Sequence, residues 1–231
     1  MKSFLRLGLT VIAVAFIFSS FAVTETKAQA VLQEILNRMD KNNKTLQSLR
    51  SNVTMVKYND QLKESDTTEG TTIYLPSKGR EASVRIDWTK PVQEIFKVSK
   101  GKYIIYRPRL GQAITGNVKD AQGSGKANGA LSFMNMSKAE LKANYSIKYI
   151  GAEKVSGGTE AARLELTPKK SGSYKMAEIW VDKDGMPIQA KVIEVNNDWT
   201  TVLLSNIKKN VTLKGVDFDV KVAPNTKFVK G

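Results

Sequence analysis

The chain contains no histidine and no cysteine. Without histidine it lacks the usual general base near neutral pH, the serine–histidine and cysteine–histidine nucleophile systems, and most zinc sites. Without cysteine it has no disulfides, so the fold must rest on its core alone. Nor is there a phosphate cradle: Gly123-Ser124-Gly125 lacks the lysine and the strand-to-helix setting such a loop needs. The carboxylates add little. Asp87, Glu94, Glu165, Glu178 and Glu194 fall on alternating strand positions, as solvent-facing charges do. Asp182 and Asp184 have neither the further ligands nor the closing glutamate of a calcium loop. No enzyme, cofactor or metal site is expected.

Long apolar runs are also scarce, with one exception at the N-terminus. Lys2 and Arg6 precede an apolar stretch from Leu7 to Phe18, and Ala28-Gln29-Ala30 is a small-x-small cleavage pattern. The stretch is well short of the ~20 residues needed to span a bilayer. Residues 1–30 therefore read as a signal peptide cut after Ala30, and 31–231 as one domain that is exported and does not span the membrane. The missing cysteine leaves no site for lipid attachment. An exported chain without disulfides points to a bacterial periplasm.

Charge of one sign is abundant. Lys and Arg total 36 against 22 Asp and Glu, for a net charge of +14. Such a balance favours anionic partners, whether lipid headgroups, lipopolysaccharide, acidic proteins or nucleic acid. No basic cluster alternates with stacking aromatics, so nucleic acid is not expected. The charge is spread from end to end, as on a solvated basic surface.

The stretch from Val84 to Gly116 organises the rest. It divides into the runs Val84–Trp88, Val92–Ser99, Lys102–Tyr106 and Gln112–Gly116, separated by proline and glycine turns. Valine, isoleucine and aromatics dominate them, which predicts an antiparallel meander. Ahead of it, Val31, Leu32, Ile35, Leu36 and Met39 repeat at helical spacing, and Leu46 and Leu49 resume the pattern after a polar break at Asp40–Lys44. Strands are expected at Val53–Tyr58 and Thr67–Leu75. After a glycine-rich loop at Asp120–Ala130, Leu131, Phe133, Met134, Met136 and Leu141 anchor a short helix opened by a Ser137/Glu140 capping box. Further strands are expected at Tyr145–Ile150, Ala161–Thr167, Tyr174–Asp182, Ile188–Val195, Trp199–Asn206 and Val216–Val222. Many strands with one apolar face, and only one long helix to cover them, imply a closed barrel or a cavity.

Three ordered motifs in the first half carry a resemblance. They are Gly70-x-x-x-Tyr74-Leu75-Pro76, Arg85-Ile86-Asp87-Trp88-x-x-Pro91, and Val98-Ser99-x-Gly101-x-Tyr103-x-x-Tyr106-x-Pro108-x-x-x-Gln112. Glu178-Ile179-Trp180-Val181-Asp182-x-x-Gly185-x-Pro187 and Phe218-Asp219-Val220-x-Val222-x-Pro224 follow them. Together they resemble the LolA family of periplasmic lipoprotein carriers. The resemblance implies a mainly β fold with some α: an incomplete, half-open antiparallel β-barrel of about eleven strands, with a helical lid over an apolar cavity. It also implies a monomer that takes lipoprotein acyl chains from an inner-membrane exporter and passes them to an outer-membrane acceptor.

Carried onto this chain, the cavity is expected to be lined by Leu75, Val84, Ile86, Trp88, Phe96, Val98, Tyr103, Ile105, Ile179, Val181 and Leu203. The lid is expected to hold Leu32, Ile35, Leu36, Leu131, Phe133, Met134 and Met136. Family members place an arginine before the strand-ending proline, where it holds the lid shut. Leu75 stands there instead, which leaves Arg80 or Arg85 as the expected lock. The family's Ser-Asp-Gly hairpin tip is Ser99-Lys100-Gly101, so the tip is basic. Two other readings fit the same residues. One is a lipid- or lipoprotein-sensing regulator of the same fold, which is expected to carry a second C-terminal domain. The other is a polyanion-binding module using the basic surface.

Overall fold

The computed structural model describes residues 27–76, 82–118, 133, 136–172 and 174–231. Residues 27–45 form helix α1. Six strands follow: β1 (Leu49–Asn59), β2 (Glu64–Leu75), β3 (Ser83–Lys90), β4 (Glu94–Ser99), β5 (Lys102–Arg107) and β6 (Gln112–Asn117). Helix α2 (Lys138–Asn144) leads into β7 (Tyr145–Lys154), β8 (Glu160–Pro168), β9 (Tyr174–Val181), β10 (Pro187–Glu194) and β11 (Trp199–Lys209). A short β12 (Lys227–Lys230) ends the fold. The strands make one sheet in the order β12-β6-β5-β4-β3-β2-β1-β11-β10-β9-β8-β7. Two antiparallel meanders, β1–β6 and β7–β11, are thus joined through the β1–β11 pair, and β12 adds to β6 in parallel. With β12 at one end and β7 at the other, the sheet is an open, barrel-like structure.

Because side chains alternate across a strand, the register divides the sheet into two faces. Val84 pairs with Val98, and Val98 with Tyr103. Ile86 pairs with Phe96, Phe96 with Ile105, and Ile105 with Ile114. These rows belong to the inner face, with Val53 and Met55 of β1, Val202 and Leu204 of β11, and Ile179 of β9. Helix α1 lies on this face and buries Leu32, Ile35, Leu36 and Met39 there, all at 5% exposure or less.

Two expectations are corrected. The helix does not break at Asp40–Lys44, because the polar residues are satisfied in place. Lys44 pairs with Asp40 at 2.6 Å, and the buried Asn42 amide donates to the Met186 sulfur at 3.4 Å and accepts from Lys209 at 3.1 Å. Leu49 accordingly starts β1 and does not extend the helix. The alternating run Val216–Val222 is not a strand. Gly215–Phe218 is a 3-10 turn, which the Asp217 carboxylate closes by accepting the Lys214 amide at 2.7 Å. Finally, among the described residues a short strand that was not expected, β12, brings the total to twelve, in keeping with the barrel-like sheet of about eleven.

Candidate functional site

The inner face is covered by two pieces of different construction. Helix α1 is fixed where it meets the β9–β10 turn. Gly185, at φ +84°, brings that turn so close that an added Cβ would lie 2.3 Å from the main chain of Arg38. Arg38 in turn donates to the Lys183 carbonyl at 3.2 Å. The second piece is α2 together with Phe133. Ser137 caps the helix with Glu140, each side chain serving the other's main-chain amide. Those hydrogen bonds hold the Glu140 carboxyl below its ordinary pKa.

Leu141 is fully buried, and Phe133, 1% exposed, packs against Tyr145 and Tyr174 at ring distances of 5.6 and 6.3 Å. The two tyrosine hydroxyls are 2.5 Å apart. Burial, reinforced by the Tyr145 hydroxyl, raises the Tyr174 pKa, and burial raises that of Tyr74 to about 12. Both therefore stay protonated at neutral pH. The two covering helices meet through exposed hydrogen bonds: Lys138 donates to the Asn37 side chain at 2.6 Å and Lys142 to that of Gln33 at 2.7 Å. Exposed polar contacts of this kind contribute only about 1 kcal/mol each.

At the other end of the same face lies a cleft of about 310 Å³. Met55 and Trp88, both members of the main core cluster, form its apolar floor. Glu94 and Arg107, paired at 2.8 Å, stand beside them on the same face. Val92 and Leu110, exposed by 47% and 70%, form apolar lips, and Lys57 and Arg109 add positive charge. Apolar inside and basic outside, the cleft has the chemistry to receive the end of a hydrocarbon chain attached to a polar or anionic group.

The structure brings nine of the eleven expected cavity residues to the inner face. Ile86, Trp88, Phe96, Tyr103, Ile179 and Val181 are buried in the core cluster, and Val84, Val98 and Ile105 pack against it. By register Leu75 and Leu203 are on the opposite face, although Leu203 still packs against the cluster. Leu75 pairs with Ser83 one position beyond the inward Tyr74, and Leu203 pairs with Thr54 between the inward Val202 and Leu204. Of the expected lid, Leu32, Ile35, Leu36 and Phe133 are buried in the cluster and Met136 packs on its margin. Leu131 and Met134 lie outside the described residues, as does Arg80.

Arg85 has no hydrogen bond or ion pair with the described lid residues. It sits on the outer face, pairs with Asp87 at 2.9 Å, and donates to the carbonyls of Asp217 and Asp219 at 3.0 and 2.8 Å. It fastens the C-terminal segment to the back of the sheet. Met55 and the Glu94–Arg107 pair were missed by sequence reasoning. The alternation Val53, Met55, Lys57 was the available signal for the first, and only the register reveals the second.

No group of three or more metal-binding side chains occurs among the described residues. The buried carboxylate of Glu178 is on the outer face, held by the Arg163 guanidinium, which also lies 5.4 Å from the Trp180 ring and contacts Glu153. Glu178 chiefly accounts for the raised Arg163 pKa. This cluster is an ion-pair network with no free acid or base.

The fold is similar to that of an uncharacterized conserved protein from Thermus thermophilus (TM-score 0.55, 14% identity, covering 87% of this chain and 99% of that one). It is also similar to the Mycobacterium tuberculosis lipoprotein LppX (TM-score 0.50, 13% identity, 80% and 98%) and to MucB (TM-score 0.55, 14% identity, 83% and 63%). At these identities the likeness is one of fold. No curated protein sequence matches the chain. The profile of the family described as outer membrane lipoprotein carrier protein LolA, however, matches residues 58–221, which include β2 to β11. The chain belongs to the LolA family.

Proposed function

We propose that this protein is a periplasmic carrier that holds the acyl chains of lipoproteins against the inner face of its sheet. In this reading it receives them from an inner-membrane exporter and delivers them to an acceptor at the outer membrane. One observation carries the proposal: the inner face of an open sheet carries a continuous apolar cluster, broken only toward the Glu94–Arg107 end, yet the two helices that roof it are joined to each other by exposed lysine–amide hydrogen bonds. Family membership supports the cargo class.

The energetics require a replaceable roof. Burying an acyl chain of ~14 methylenes is worth ~11 kcal/mol at ~0.8 kcal/mol each. A carrier that gained all of this would not release its cargo. Here Phe133 and the α1 residues already occupy the face, so cargo displaces side chains and not water, which offsets much of the gain. Export fits the same picture. Residues 27–30 are exposed and Leu32 is the first buried residue of α1, so a cut after Ala30 leaves every buried residue of the described helix in place.

The test is direct. Protein isolated from the periplasm, extracted with organic solvent and analysed by mass spectrometry, is expected to yield acylated peptide or lipid. In solution it is expected to bind a fluorescent acylated peptide and not its unacylated form. Equal binding of the two would overturn the proposal.

A further inference from the structure

On the outer face, at the end of the sheet formed by the β4–β5 hairpin tip, is a second and larger cavity of about 1120 Å³. Its back wall is the sheet and its front wall the C-terminal segment around Gly215–Asp219. That segment is held by Arg85 and by Tyr106, whose hydroxyl accepts the Ala223 amide at 3.2 Å. Outer-face Ile73 and Tyr106 and the strap's own Phe218 are buried, yet none of them belongs to the main core cluster. By register Lys97, Ser99, Lys102 and Ile104 of this lining are on the outer face, and the inner-face Tyr103 joins them at the margin of the sheet.

The lining is two-sided in chemistry. Leu75, Ile104, Val216 and Phe218 supply apolar surface, with Leu75 and Val216 exposed by 38% and 67%. Four lysines, Lys97, Lys100, Lys102 and Lys230, line the same cavity, against the single carboxylate of Asp219. Asp219 lies 3.9 Å from Lys97, and Lys100, Lys102 and Lys230 have no carboxylate partner among the described residues. Leu75 and Lys100 are also the two positions at which the chain departs from the motifs it otherwise resembles.

Lysines with no carboxylate partner among the described residues, grouped beside exposed aliphatic side chains, match one ligand chemistry, an anionic head joined to a hydrocarbon tail. We infer that this outer-face cavity binds an anionic phospholipid, its phosphate on the lysines and the start of its chains against Leu75, Ile104 and Val216. The lysines and aliphatic side chains of the site are on the outer face, so it does not depend on the carrier reading.

The experiment uses the exported chain, residues 31–231, and monomeric short-chain lipids, followed by calorimetry. Dihexanoylphosphatidylglycerol is expected to bind more tightly than dihexanoylphosphatidylcholine and than glycerol phosphate. Each lysine near an anionic group is worth about a fivefold factor, so combining Lys100→Gln, Lys102→Gln and Lys230→Gln should weaken binding about 100-fold. A charge-matched control (Lys41→Gln, Lys154→Gln, Lys170→Gln) should leave it within a few fold, with the same melting temperature in both. Val216→Ser should weaken the lipid but not glycerol phosphate. Equal affinity for the two lipids would overturn the inference. So would glycerol phosphate binding as tightly as phosphatidylglycerol, or equal losses in the two triple variants.

Discussion

The Arg85 guanidinium donates to the main-chain oxygen of Asp217 at 3.0 Å, across 132 positions of sequence. Hydrogen bonds from a charged donor contribute about 1.5–3 kcal/mol, less where water competes. Arg85→Ala is thus expected to cost about 1–2 kcal/mol and to speed hydrogen exchange selectively between Lys214 and Ala223. Uptake of an acylated peptide should be unaltered, because the side chain points away from the inner face. A faster or tighter uptake in this variant would restore it as a lid lock.

Gly185 and Arg38 set how closely α1 approaches the β9–β10 turn. At φ +84° any side chain is strained, and a Cβ would meet the helix backbone at 2.3 Å. Gly185→Ala should cost about 1–3 kcal/mol and lower the melting temperature by about 2–4 °C for each kcal/mol. An unchanged melting curve would mean the helix docks elsewhere.

Much of this architecture could be read from alternation. Val84, Ile86 and Trp88 alternate with charged or polar neighbours, and the register puts all three on one face as the pattern requires. Where neighbouring residues are all apolar, parity is silent. Tyr74-Leu75 and Val202-Leu203-Leu204 fit either face, and only pairing with β1 and β3 decides them. Val216–Val222 failed for a different reason. Its alternation is clean, but Arg85 takes the carbonyls of Asp217 and Asp219 that a neighbouring strand would use. Nothing local announces a partner so distant in sequence.

Phe133 tests the replaceable roof. Truncating a ring this deeply buried costs about 3–5 kcal/mol in a sealed core. Phe133→Ala should lower the melting temperature of the free protein accordingly. If cargo fills the space the ring leaves, saturating acylated peptide should recover more stability in the variant than in the wild type. Equal recovery in both would assign the ring to fixed core.

Tyr74 predicts behaviour at alkaline pH. Burial raises its folded pKa to about 12, while an unfolded tyrosine titrates near 10. The folded state thus holds the proton more tightly, and the stability this contributes is intact below about pH 10 and lost as pH rises toward 12. Tyr174, raised for the same reason, acts in the same direction. Combining Tyr74→Phe with Tyr174→Phe should flatten the alkaline decline in chemical denaturation measured across this window.

The most direct test uses the three tryptophans. Trp88 belongs to the inner face, at the floor of the cleft beside Met55, whereas Trp180 pairs with Gln189 and Trp199 stacks on Tyr58, both on the outer face. In a Trp180→Phe, Trp199→Phe background, fluorescence reports the inner face alone. A peptide acylated with a brominated chain should quench Trp88 saturably, and the same peptide with an unbrominated chain should bind without quenching. Saturable binding that leaves Trp88 unquenched would contradict cargo on the inner face.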